Sequence, residues 1–218
     1  MKYEYPLYFV IDVGSSMDGA SITAVNDGIV ELFDEIASDP FIDDRFPVEV
    51  IVFNATAKVL LPLTQLSDVA QIPICVASGS SSYGEAFRLL KTQIESDVTM
   101  LRQEGVSVHR PCVFFMSDGA PNNENWRAEL DALADPSFVY SPNISFGVTG
   151  AVKSALVDVA HWNSWDRSGN LFFIAQDVGD LGPAIIEFYR FATSYVIHAR
   201  ASFHPVQLPI GFTFEETV

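Results

Sequence analysis

The chain has 218 residues, 49% of them hydrophobic, with 28 acidic against 12 basic side chains and a formal net charge of −16. That length fits one α/β domain with a tail, and that charge excludes nucleic acid and anionic membrane surfaces as partners, since both reward Lys and Arg. No apolar run reaches the roughly 20 residues of a membrane span. Residues Met1 to Pro6 lack a signal-peptide pattern, and the two cysteines, Cys75 and Cys112, imply no disulfide framework, so a cytoplasmic setting is expected.

The run Leu7 to Ile11 is apolar at every position, which suits a strand buried on both faces of a parallel sheet. It breaks at Asp12 and passes into Val13-Gly14-Ser15-Ser16. A helix is expected over about residues 21–37, where Ile22, Val25, Ile29, Leu32, Phe33 and Ile36 recur at spacings of three and four. Pro47 to Phe53 and Val59 to Leu63 read as two strands, and the short connection Asn54-Ala55-Thr56-Ala57 makes them an antiparallel hairpin. The Ser-rich stretch Ser78 to Gly84 reads either as a flexible linker or as a loop opening the helix that carries Phe87, Leu90, Ile94, Val98 and Leu101.

Pro111 to Met116 is a further buried strand, delivering Ser117-Asp118-Gly119-Ala120-Pro121, and a helix is expected over residues 122–133. Ile144 to Val148 and Leu171 to Ile174 read as strands, with helices over Val152 to Trp162 and Gly182 to Val196. About six strands therefore alternate with six helices, which predicts a doubly wound, mostly parallel sheet with helices on both faces and one antiparallel edge strand. The domain is expected to span residues 1–198. Residues 199–218, with Phe203, Phe212 and Phe214, read as a tail or packing arm outside the sheet.

In open α/β sheets ligands bind outside the carboxyl ends of the strands, so Asp12 and Ser16 fall at the functional rim. A carboxylate beside hydroxyls repels phosphate and suits a hard cation such as magnesium. Other chemistries fit less well. A dinucleotide site wants Gly-x-Gly-x-x-Gly, and a serine hydrolase wants Gly-x-Ser-x-Gly with a partnered His. A phosphotransferase using Asp12 wants a second Asp two residues on, where Gly14 stands. The four His, at 109, 161, 198 and 204, have no zinc spacing. Trp162 and Trp165 read either as packing over the sheet or as an aromatic contact patch.

Asp12-Val13-Gly14-Ser15-Ser16 resembles the Asp-x-Ser-x-Ser motif of von Willebrand factor A (VWA) domains. Ser81 and Gly84 resemble the second VWA motif, a Thr three residues before a Gly, and Ser117-Asp118-Gly119 resembles the third. The resemblance implies a Rossmann-like VWA fold and a metal-ion-dependent adhesion site built by Asp12, Ser16, Ser81 and Asp118. It also implies magnesium, or manganese or calcium, in a shell that an acidic side chain of a protein partner completes. Gly14 replaces the first motif Ser, so binding is expected to be weakened or lost. Without an ion, Asp12 would be held by its own loop's N–H groups and Ser16, and Asp118 would cap its turn. Pro6-Leu7-Tyr8, Ala24-Val25-Asn26-Asp27-Gly28 and Phe115 to Pro121 are similar to the TerY-like, tellurium-resistance-associated branch. That branch implies a non-enzymatic scaffold or signalling role beside kinase-like and phosphatase-like proteins in a stress response. The alternative is a metal-dependent hydrolase or phosphotransferase using Asp12.

Overall fold

The structure is a computed structural model that describes residues 2–118, 121–122, 125–133, 143–147, 155, 159, 171–175, 189 and 212–213. Its centre is β2 (Leu7–Asp12), buried at all six positions. Side chains alternate across a strand. Leu7, Phe9 and Ile11 enter one core with Val25, Ile29, Leu32, Phe33 and Ile36 of α1 (Ala20–Ser38). Tyr8 and Val10 enter a second core with Phe87, Leu90 and Ile94 of α3 (Tyr83–Gln103). Helices thus cover both faces, which is why the strand reads as a continuous apolar run. Each such buried side chain contributes roughly 1.5–3 kcal/mol.

β3 (Val48–Phe53) and β6 (Cys112–Ser117) flank β2 in parallel. β4 (Ala57–Thr64) returns antiparallel against β3, as the short Asn54 to Thr56 connection requires. β7 (Asn143–Gly147) and β8 (Leu171–Ala175) extend the sheet in parallel beyond β6. The chain runs to β3 on one side of β2 and then to β6 on the other. The carboxyl ends of β2 and β6 therefore bracket the point where strand order reverses, the usual ligand crevice of such sheets.

The described sheet differs from expectation in having seven strands and two antiparallel edges. β9 (Phe212–Thr213) of the C-terminal segment pairs antiparallel with β8, so that segment is not wholly outside the sheet. Two smaller elements were also not legible: β1 (Tyr3–Glu4) and β5 (Ser107–Val108) pair as a separate parallel ribbon. A short α2 (Pro40–Asp43) follows α1, capped by Asp39, whose side chain accepts from the Phe41 N–H at 2.9 Å, with Pro in its first turn. The predicted helix over 122–133 is described as α4 (Trp126–Leu133). The expected helices over 152–162 and 182–196 fall largely outside the described residues, which include Ala155, Val159 and Tyr189 of them. Trp162, Trp165, His161, His198, His204 and the rest of the 199–218 segment also lie outside. His109 stacks on Tyr5, with ring centroids 4.1 Å apart, so it serves packing.

Candidate metal centre

β2 ends at Asp12, and the chain bends at once through Gly14 into a 3-10 turn, Ser15–Met17. The bend is stabilised by Asp12 itself, whose Oδ1 accepts the Gly14 N–H at 2.8 Å. Gly14 has φ −57° and ψ 162°, a conformation open to any residue. Space, not backbone, selects glycine here. A Cβ at this position would collide with Ser81 Oγ and lie 3.1 Å from Asp12 Oδ1 and 3.7 Å from Ser16 Oγ.

The Ser-rich stretch is a fixed loop rather than a linker. Ser78 N–H donates to Val13 O, Ser15 N–H to Gly79 O, and Ser82 N–H to Asn54 O, each at 2.8 Å. Gly79 turns the loop at φ +74°, a region that favours glycine. Asn54 Nδ2 donates to Ser78 Oγ at 3.1 Å. Further back, Asn26 of α1 exchanges two hydrogen bonds with the Cys75 backbone, at 2.7 and 3.1 Å. Ser82 then caps α3 by accepting the Glu85 N–H.

These ties bring the four expected residues together. Ser81 Oγ donates to Asp12 Oδ1 at 2.7 Å. Ser16 Oγ donates to Asp118 Oδ1 at 2.8 Å. Ser117, at the end of β6, donates to Asp12 Oδ2 at 2.7 Å. Asp12 is therefore held by Ser81, Ser117 and the Gly14 N–H, not by Ser16, which reaches Asp118 instead. Ser117 was missed by sequence reasoning, although a Ser closing a buried strand directly before Asp118 was a signal. Asn26 and Asn54, which position the loop, were missed as well.

Asp12 and Ser117 are fully buried and Asp118 nearly so, while Ser81 is half-buried and Ser16 exposed. Burial raises the pKa of Asp12 against the opposing pull of the Ser117, Ser81 and Gly14 donors, and the charge of Asp118 raises it further. Burial likewise raises Asp118, opposed by the Ser16 hydroxyl. Two carboxylates are thus held together where neither is fully compensated.

The donor set is all oxygen, which fits a hard cation. A hydroxyl that donates its proton to a carboxylate keeps its lone pairs for a ligand. Ser16 and Ser81 are both in that state, in front of the buried carboxylates. Among the described residues no three His, Cys, Asp or Glu side chains gather as a metal cluster. Any ion here would rest on two hydroxyls, water and the two carboxylates behind them.

No protein-family model matches the chain, and no curated protein does. Solved structures do. A von Willebrand factor type A protein from Catenulispora acidiphila is 13% identical, with TM-score 0.61 over 89% of this chain and 43% of that one. The pilus adhesin SpaC from Lactobacillus rhamnosus GG is 13% identical, with TM-score 0.67 over 91% of this chain and 30% of that one. The conserved hypothetical protein BatB from Bacteroides thetaiotaomicron is 16% identical, with TM-score 0.56 over 87% of this chain and 98% of that one. The chain thus spans less than half the length of the first two. At these identities the likeness is one of fold, and the fold is the Rossmann-like one of VWA domains.

Proposed function

We propose that the chain is a non-enzymatic protein-interaction module that holds a divalent cation, magnesium or else manganese or calcium, at Asp12, Ser16, Ser81 and Asp118. A protein partner docks at this edge and completes the shell with an acidic side chain. The observation that carries the reading is the pair of hydroxyl–carboxylate bonds from Ser81 to Asp12 and from Ser16 to Asp118. Each leaves a hydroxyl oxygen able to ligate and a carboxylate supplying charge behind it. A bound cation would offset the two buried carboxylates and attract a partner carboxylate. Ser81 Oγ fills the space that a side chain on residue 14 would need, so the shell has one hydroxyl fewer and affinity is weak until a partner binds.

Asp12 as a nucleophile is disfavoured by its environment. It is fully buried, and both of its oxygens accept hydrogen bonds from three donors. The finer placement in a TerY-like stress-response system with kinase-like and phosphatase-like partners belongs to the same proposal and rests on the motif resemblance, and the cytoplasmic setting rests on the cysteine usage and the lack of a signal-peptide pattern in residues 1–6. A domain boundary near residue 198 belongs to the proposal too and rests on the break in the strand–helix pattern there, although β9 of the following segment pairs back onto β8.

Thermal unfolding in millimolar magnesium against chelator tests the site. A ligand of the folded form adds about 1.4 kcal/mol at ~10 times its dissociation constant. The midpoint is expected to rise in the native chain and to stay put in a Ser16→Ala, Ser81→Ala double variant. A rise that survives in that variant would put the ion elsewhere. A hydrolase and phosphatase screen with magnesium is expected to stay at background.

A further inference from the structure

A second pair of carboxylates lies away from the candidate metal centre, at the amino-terminal end of the sheet. Glu49 is the second residue of β3, in the otherwise apolar strand Val48-Glu49-Val50-Ile51-Val52-Phe53. It is fully buried, and neither of its carboxylate oxygens has a hydrogen-bond partner. Ionised groups are almost never left that way. Its neighbour across the sheet is Tyr8 of β2, in direct register. The Tyr8 hydroxyl donates to Asp97 Oδ2 of α3 at 3.0 Å, and Asp97 is itself buried. Tyr8 and Asp97 are the titratable groups that face Glu49 from β2 and α3. Gln93 of α3 and the Leu63 backbone of β4 are the neutral polar groups close enough to act on it, short of full hydrogen-bond geometry. No cationic side chain acts on it among the described residues.

Two facing carboxylates in apolar surroundings cannot both ionise. A metal ion is the weaker answer, since no third acidic, His or Cys side chain joins the pair among the described residues. A proton needs no further ligands. We propose that Glu49 and Asp97 share one proton and that this proton makes the seating of α3 on the sheet dependent on pH. The neutral Glu49 carboxyl donates to Asp97, which already accepts from Tyr8, so a single proton satisfies the orphaned acid and leaves one charge with two donors. Burial first, and the facing Asp97 second, push Glu49 from 4.5 up to about 8. Burial raises Asp97 also, with Tyr8 and Glu49 pulling it back.

The folded chain therefore binds a proton that the unfolded chain has released. This stability is present below pH 4.5, declines as pH rises, and is lost through about pH 8. Above that, a second buried charge opposes the packing of α3 on β2 and β3. Because α3 starts at Tyr83, directly after Ser81 and its cap Ser82, loosening it reaches the loop at the other end of the sheet.

Carboxyl carbon NMR of the native chain from pH 4 to 10, at fixed salt and without divalent ions, tests this without reference to the metal centre. The Glu49 resonance is expected to titrate near pH 8. Guanidinium midpoints between pH 5 and 8 are expected to fall more steeply in the native chain than in Glu49→Gln, by about one proton. A Glu49 resonance titrating near 4.5, or a Glu49→Gln variant with the native pH slope, would overturn the proposal. So would a Glu49 resonance that moves on adding calcium or sodium at constant pH, which would assign the pair to a cation.

Discussion

Ser81 Oγ donates to Asp12 Oδ1 at 2.7 Å across 69 positions of sequence, and the same hydroxyl occupies the space that a side chain on Gly14 would need. The missing motif hydroxyl and the presence of Ser81 at Asp12 are thus linked. Gly14→Ala is expected to drive Ser81 off Asp12 and to cost about 1–3 kcal/mol, the range for an unsatisfied buried polar group. In a Ser81→Ala background the collision with the hydroxyl disappears, only the close approach to Asp12 Oδ1 remains, and Gly14→Ala is expected to cost clearly less. Denaturant unfolding of the four chains measures the coupling. Additive costs would mean that Ser81 gives way without loss. Gly14→Ser is then expected to exchange one hydroxyl for another, not to add a ligand.

Ser117→Ala removes the donor to Asp12 Oδ2 and leaves a buried carboxylate oxygen unpaired. The expected cost is about 1–3 kcal/mol, read from the shift in denaturant midpoint at constant slope. A shift of only a few tenths would mean that water replaces the hydroxyl.

Asn26 binds the Cys75 backbone through both its amide oxygen and nitrogen. Cys75 is buried and its thiol is pushed up to about 12 by that burial. At pH 8 it should resist alkylation until the loop opens, because the thiolate is the reactive form. In a Cys112→Ser background, Asn26→Ala is expected to raise the alkylation rate of Cys75 by at least about tenfold, the equivalent of roughly 1.4 kcal/mol in loop opening. An unchanged rate would show that the other ties, from Val13, Gly79 and Asn54, hold the loop alone.

β9 covers the edge of β8, so deleting residues 202–218 is expected to uncover unpaired strand groups. Analytical ultracentrifugation should then show concentration-dependent association that the full chain lacks. A monomeric truncated chain with native stability would restore the reading of residues 199–218 as a dispensable tail.

Much of this arrangement can be read from the residues. The continuous apolar run at Leu7 to Ile11 and the 3.6-residue stripes of α1 and α3 announce a covered parallel sheet. Asp12, Ser16, Ser81 and Asp118 stand where such strands and loops end. What escapes is of another kind. Two-residue strands such as Tyr3–Glu4 and Phe212–Thr213 are too short to show a period. Ser117 acts through an oxygen that is close only after β2 and β6 pair, and Asn26 through a loop 49 positions away. Glu49 is a visible interruption in an apolar strand, but its meaning depends on Asp97, which belongs by sequence to the surface of a helix.

The cation site is read most directly by diffraction from crystals grown with manganese, collected to detect its anomalous signal. One ordered ion is expected at about 2.1 Å from Ser16 Oγ and Ser81 Oγ, with waters filling the shell and the Asp12 and Asp118 carboxylates behind it. An ion found only against the exposed acidic face of α1, at Asp27, Glu31, Asp34 and Glu35, or no ordered ion at all, would contradict it.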